Sequence, residues 1–269
     1  MNIEKEINTH IQADTASLLN KTVIEIKNLK KGFDNAPVLT DLSLQLFENE
    51  NLVILGKSGS GKSVLIKCIV RLLNPDHGTI HVLGKNVNEL NDSDLAELRK
   101  KIGFLFQSGA LYDSMTIKEN LEFPLKRIKK NLSQKEIDEK IDEALENVGL
   151  SDTLHKMPSQ LSGGMRKRAS LARTVVLDPE IMLYDEPTTG LDPVTSDEIS
   201  ALINEVQKKY NTSSIIITHD IACASAIGDR VIMLNEGKVY QEGTIGEFEK
   251  SEDELIQAFF KTKTGFTIN

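Results

Sequence analysis

One stretch constrains this chain more than any other. A short apolar run, Leu52 to Leu55, leads into Gly56-Lys57-Ser58-Gly59-Ser60-Gly61-Lys62-Ser63, then into a segment with apolar residues at Val64, Leu65, Cys68 and Ile69. The order is strand, loop, helix. Gly56, Gly59 and Gly61 let the backbone fold close around an anion, so that the N–H groups of Lys57, Ser58 and Ser60 can point inward at phosphate oxygens. The following helix adds its positive N-terminal end. Lys62 is expected to reach the terminal phosphates of a nucleotide as a point charge, and the Ser63 hydroxyl to ligate magnesium.

The rest of the composition narrows the setting. The chain has 269 residues, enough for one large domain or two small ones. A formal net charge of −8 argues against a general nucleic-acid binder, and the absence of tryptophan leaves little material for stacking single-stranded bases. Cys68 and Cys223 sit far apart within apolar helical patterns, which is the usage of reduced core cysteines in a cytosolic protein. No apolar run approaches the length of a membrane span, and the N-terminus MNIEKEINTH lacks the basic start and apolar stretch of a secretory signal.

Residues 1–20 carry Ile3, Ile7, Ile11 and Leu18 at loose helical spacing and are expected to be an extension or short docking helix. From Thr22 the run TVIEIKNLKKGF alternates like a half-exposed strand, and LSLQLF at Leu42 to Phe47 alternates again after a turn around Asn35-Ala36-Pro37. The two should form an antiparallel edge beside the nucleotide. Phe33 is placed either to stack on a base or to fill the end of the strand core. After a turn at Asn74 to Gly78 comes TIHVLG, then a charged helix around Ser93 to Arg99, then the strand IGFLFQ ending at Gln107. A polar amide at the carboxyl end of a buried strand is where an open α/β sheet sets ligand groups, so Gln107 is a candidate contact for magnesium or the attacking water.

From Ser108 to Arg173 the periodicity is helical, which predicts a helical subdomain inserted in a sheet domain. Ser133 with Glu136 makes a capping box, Leu132 with Ile137 a hydrophobic staple, and Gly149 stands where that helix stops. Leu161-Ser162-Gly163-Gly164-Met165 then opens a helix with Leu171, Ala172 and Val175 on one face. Ser162 can cap it and the glycines expose its first N–H groups, making a second anion site. One loop already covers the nucleotide, so the second must serve a nucleotide held elsewhere. Ile181 to Tyr184 reads as a buried parallel strand that delivers Asp185 and Glu186 to the carboxyl edge of the sheet. Asp185 is expected to hold magnesium through water and Glu186 to polarise the attacking water. Gly190 to Pro193 caps a helix with an expected core face of Val194, Ile199, Leu202, Ile203 and Val206. The strand Ile215 to Ile217 ends at Thr218-His219, which brings His219 beside the carboxylates and toward the terminal phosphate. Strands at Arg230 to Leu234 and Lys238 to Gln241 and a helix with Leu255, Ile256, Phe259 and Phe260 follow.

Taken together, the phosphate loop, Gln107, LSGGM, YDEP, the Gly190 to Asp192 loop and His219 resemble the ATP-binding-cassette ATPases in order and spacing over residues 22–260. The resemblance implies an α/β P-loop fold with a mostly parallel core sheet, an antiparallel β edge and the inserted helical subdomain. It divides the chain into an extension (1–20), an ATPase domain (21–245, helical subdomain about 108–173) and a C-terminal helix and tail (246–269). It further implies ATP with Mg2+ and a head-to-tail homodimer in which Ser162, Gly163 and Gly164 of one chain complete the site built on Lys62 of the other, with Asp192 as a further nucleotide-binding residue. Met165 followed by RKRASLAR, and FQSGALYDSMTIKENLEFPL, resemble more narrowly the ATPases of Mla-type phospholipid transporters associated with mammalian-cell-entry (Mce) proteins. That implies a peripheral subunit on the cytoplasmic face of a bacterial inner membrane, bound to a permease, with an Mce protein and an accessory cytosolic subunit as further partners and no nucleic acid. Leu111, Tyr112, Met115 and Phe123 then either line the groove for the permease or form the core of the helical subdomain. The last helix either meets a partner or packs on its own domain.

Overall fold

The computed structural model describes residues 21–34 and 36–264, with backbone alone for 261–264. The expected extension over residues 1–20 and the last five residues of the tail lie outside the described residues. The element that organises the rest is β3 (Asn51–Gly56), buried at every position. It pairs in parallel with β8 (Ser213–Thr218) on one side and β9 (Arg230–Asn235) on the other. Beyond β8 lie β7 (Ile181–Asp185) and β6 (Ile102–Leu105), also parallel, while β10 (Lys238–Gly243) closes the other edge antiparallel to β9. The order is β10-β9-β3-β8-β7-β6.

Because successive strand side chains point to opposite faces, a parallel sheet covered on both sides reads as continuous apolar runs. Here Val53, Leu55, Met182, Tyr184, Ile216, Val231 and Met233 face one apolar layer. Leu52, Ile54, Ile181, Leu183, Ile215, Ile217, Ile232 and Leu234 face the other. Across the second layer lies a separate antiparallel sheet, β2-β1-β4-β5, built from β1 (Thr22–Phe33), β2 (Ala36–Phe47), β4 (His77–Val82) and β5 (Lys85–Asn86). The antiparallel edge expected from the first two strands is thus part of a four-stranded layer. It is joined to the core sheet at one end by the Thr40 N–H donating to the Gly237 carbonyl at 3.0 Å. The helix after the phosphate loop, α1 (Lys62–Ile69), is sandwiched there, with Leu65, Ile66, Cys68 and Ile69 buried; α2 (Asp92–Arg99) follows on the same side. Burial pushes the Cys68 and Cys223 thiols up to about 11, which keeps both protonated and unreactive.

The first layer holds the helices. α3 (Ile117–Ile128), α4 (Gln134–Asn147) and α5 (Gly163–Val175) form the helical insertion, and α4 starts with the Ser133–Glu136 capping box. Fully buried Asn120 ties the preceding loop to α3: its side chain accepts from the Tyr112 N–H and donates to the carbonyls of Tyr112, Met115 and Thr116. α6 (Pro193–Tyr210) packs its Ile199, Leu202, Ile203 and Val206 inward, whereas Val194 is 69% exposed. Val194 precedes Ile199 by five residues, about 140° around a helix, which turns it away from the core face. α7 (Ile221–Ile227), α8 (Ile245–Glu249) and α9 (Glu254–Thr264) finish the chain. Ile256 and Phe259 are buried in the helix-side core and Phe260 stacks near Phe248 with ring centres 6.4 Å apart, so this helix packs on its own domain.

Candidate active site

At the carboxyl ends of β3, β7 and β8 lies a cavity of about 860 Å³ lined by Phe33, Lys57, Ser58, Gly59, Gly61, Lys62, Ser63, Gln107, Glu186 and His219. Its floor is the loop between β3 and α1. Gly59 and Gly61 have φ of +82° and +98°, values that side-chain-bearing residues rarely adopt, and these reverse the chain tightly enough to point into the first turn of α1. A Cβ on Gly56 would lie 2.6 Å from Ser60 Oγ and 2.8 Å from the Leu234 carbonyl, so only glycine fits there. The Lys62 ammonium, 7% exposed, folds back over the loop and donates to the carbonyls of Gly56 at 2.7 Å and Lys57 at 3.1 Å.

The carboxylates arrive from β7. Asp185 Oδ1 accepts from Ser63 Oγ at 3.2 Å. Burial raises the Asp185 carboxyl above its ordinary range and the Glu186 charge adds to this, while the Ser63 hydroxyl works against it. Such a carboxylate gains from a nearby cation. Glu186 leaves the strand with φ +50°, in the left-handed region that side-chain-bearing residues seldom adopt. Its Oε1 lies 4.0 Å from Lys62 Nζ, and its Oε2 accepts from Thr189 Oγ1 at 3.0 Å and meets His219 Nδ1 at 2.8 Å. His219 is held by the turn into α7, where Asp220 caps the Ala222 and Cys223 N–H groups and also accepts from Thr188 Oγ1.

The structure therefore brings together the expected residues of the phosphate loop with Asp185, Glu186, His219, Gln107 and Phe33. Phe33 is 43% exposed on the cavity rim, so it is open to a ligand rather than filling the strand core. Ser162, Gly163, Gly164 and Asp192 do not line this cavity. Ser162 caps α5 by accepting from the Met165 N–H at 3.2 Å, Gly163 approaches Leu191, and Gly164 lies so close to Thr195 that an added Cβ would sit 2.5 Å from it. Asp192 caps α6 through the Thr195 N–H and hydroxyl. The two helix tips form a second exposed surface, and the Met165 side chain packs toward the helix-side core. Sequence reasoning missed Val38, Ala258 and Phe259 in the cavity wall, since they come from a different sheet and from the far end of the chain. It also missed Lys167, buried beneath the site, although its place one turn before Leu171 on the apolar face of α5 is visible in the sequence.

The model of the ABC transporter family matches residues 39–189, more than half of the chain. The chain belongs to the ABC transporter family. As a member it is an ATPase. This ABC ATPase is 37% identical over 243 residues to the intermembrane phospholipid transport system ATP-binding protein MlaF of Haemophilus influenzae, covering 90% of this chain and 92% of that one. It is 38% identical over 236 residues to the probable ribonucleotide transport ATP-binding protein mkl of Mycobacterium leprae, covering 88% of this chain and 68% of that one. Among solved structures it resembles the dimeric post-hydrolysis state of the ATP-binding cassette MJ0796 bound to ADP and Pi, at a TM-score of 0.75 and 32% identity over 82% of this chain and 98% of that one.

Proposed function

We propose that this ABC ATPase binds ATP with Mg2+ in the Lys62 cavity, closes as a head-to-tail pair of identical chains over two nucleotides, and drives a membrane permease that moves phospholipid. The observation that carries the reading is a division of labour. Lys62, Ser63, Glu186 and His219 share one cavity, with Asp185 buried behind Ser63, while the exposed Ser162–Gly164 tip lies outside it and has no nucleotide of its own to serve. A second copy turned end to end supplies it. The dimeric state of the MJ0796 cassette supports this pairing.

The residues present fit magnesium. Ser63 and Asp185 offer two hard oxygen donors in contact, Gln107 stands nearby, and a cation would offset the cost of the buried carboxylate. When bound, Mg2+ neutralises charge on the transferring phosphoryl group. The remaining work falls to the chain: Lys62 and the loop N–H groups hold the phosphates, Glu186 orients the attacking water, and His219 fixes the Glu186 carboxylate and faces the terminal phosphate.

Phospholipid as cargo is supported by the similarity to MlaF and by Met165 in the LSGGM motif. Among the described residues no helix is long and apolar enough to cross a membrane, and in this reading a permease partner supplies the membrane path while the ATPase sits peripherally on its cytoplasmic face. Phe123, in edge contact with the exposed Tyr112 ring at 5.5 Å, lines a groove with Met115, Glu119, Glu122, Lys126 and Arg127 that suits an amphipathic helix from that partner. The test is purification of the complex from membranes with mass spectrometry of proteins and lipids. A permease, an Mce-type protein and bound phospholipid are expected. A permease that carries ribonucleotide instead, the cargo in the name of mkl, would replace the lipid reading.

A further inference from the structure

Lys167 stands on α5 five residues after Ser162, about 7.5 Å along the helix. Its side chain runs inward rather than out to solvent and is 7% exposed. The ammonium donates to the Gln107 carbonyl and reaches the Glu186 carbonyl at 3.5 Å. A buried ammonium is costly, and burial lowers its proton affinity even though the Asp185 and Glu186 carboxylates oppose that. A hydrophobic residue of the same length would pack there at lower cost.

What the ammonium holds explains its presence. Gln107 and Glu186 begin two loops after neighbouring strands β6 and β7, and both side chains enter the ATP cavity. Glu186 sits at φ +50°, a conformation that persists only when its surroundings enforce it. Its N–H is fixed by the Ile217 carbonyl at 2.9 Å, and Lys167 meets the carbonyl at the other end of the residue.

We propose that Lys167 is a positioning residue for hydrolysis, clamping the main-chain carbonyls of Gln107 and Glu186 so that their side chains hold their aim, and tying both to the helix whose tip meets the partner's nucleotide. The inference rests on the roles given above to Glu186 and Ser162. A shift of α5 when its tip engages the second nucleotide is then felt directly at the water-orienting end of its own site. Each chain thereby links the two composite sites through one side chain.

Lys167→Met in the full-length protein keeps the side-chain length and removes the ammonium. The expected result is a fall in kcat on the order of 10- to 100-fold, the scale of a misplacement of about 1 Å in a catalytic group. KM for ATP and affinity for a fluorescent ATP analogue should change by less than about threefold, because Lys62 and the phosphate loop are untouched. The melting temperature should stay within about 3 °C of the parent, since a buried charge has been replaced by an apolar chain. A kcat loss matched by lost ATP affinity or by a lower melting temperature marks a packing defect and overturns the clamp. Glu186→Gln run in parallel separates the layers. Normal turnover in Glu186→Gln removes the reading of the site, whereas a dead Glu186→Gln beside a fully active Lys167→Met removes only the clamp.

Discussion

His219 Nδ1 and Glu186 Oε2 lie 2.8 Å apart, joining the ends of two adjacent parallel strands. A carboxylate only accepts, so the ring nitrogen is the donor, and the histidine orients the glutamate while keeping its other nitrogen for the cavity. Thr189 donates to the same oxygen, leaving Oε1 for water and Lys62. Glu186→Gln keeps the size and most of this hydrogen bonding but removes the proposed general base. Turnover is expected to fall about 10²- to 10⁴-fold with ATP affinity intact. In the presence of ATP, size-exclusion chromatography should show an accumulated dimer, and a monomer with bound ATP would contradict the shared site.

Lys62 makes its present contacts to the Gly56 and Lys57 carbonyls, which hold the loop in its anion-ready curl. Lys62→Ala should weaken ATP binding itself, on the order of 10- to 100-fold, as for losing a charge-assisted hydrogen bond to phosphate. Isothermal titration with ATP and Mg2+ checks this, and an unchanged Kd sinks the loop assignment.

The turn between β9 and β10 buttresses the cavity from outside. Glu236 and Gly237 both have positive φ, and a Cβ on Gly237 would lie 2.2 Å from the carbonyl of Val38, a cavity-lining residue. Gly237→Ala should therefore cost about 1–3 kcal/mol of stability, seen as a lower melting temperature and weaker ATP binding. Gly246 in α8 has nothing within 4 Å of an added Cβ and an ordinary φ, so Gly246→Ala should be neutral or slightly stabilising in the same assay.

The groove beside α3 makes a separate prediction. Phe123 is 39% exposed and rests against Tyr112, whose ring also lies under the Arg173 guanidinium at 4.9 Å. Phe123→Ser should reduce recovery of the permease from detergent-solubilised membranes by at least about tenfold, as for an aromatic anchor at an interface centre. Its melting temperature should not change, because the side chain is not part of the core. Undiminished recovery would return these rings to a purely local role.

Residues close in the chain that act together were legible directly. The run from Gly56 to Ser63, the Ser133–Glu136 box, the Ser162 cap and the Asp185–Glu186 pair each state their geometry within a few positions, because backbone freedom and hydrogen-bond reach are local. The two-sided burial of β3, β7 and β8 was legible for the same reason: an uninterrupted apolar run has no polar face to turn to water. Pairings across the chain were not. Nothing near Phe259 says that it borders the cavity, and nothing near Lys167 names Gln107 as its partner, since those contacts depend on how helices stack on a sheet. Val194 shows the limit on a smaller scale, an apolar residue whose helical phase and position in the first turn leave it exposed. The sequence by itself determined which side chains stand at the strand ends around the loop from Gly56 to Ser63, because the loop and the strand-end carboxylates are each specified by residues next to one another. Only the tertiary structure decided which oxygen each of them touches and that the LSGGM tip lies outside its own cavity, because those depend on distances between segments that share no sequence neighbourhood.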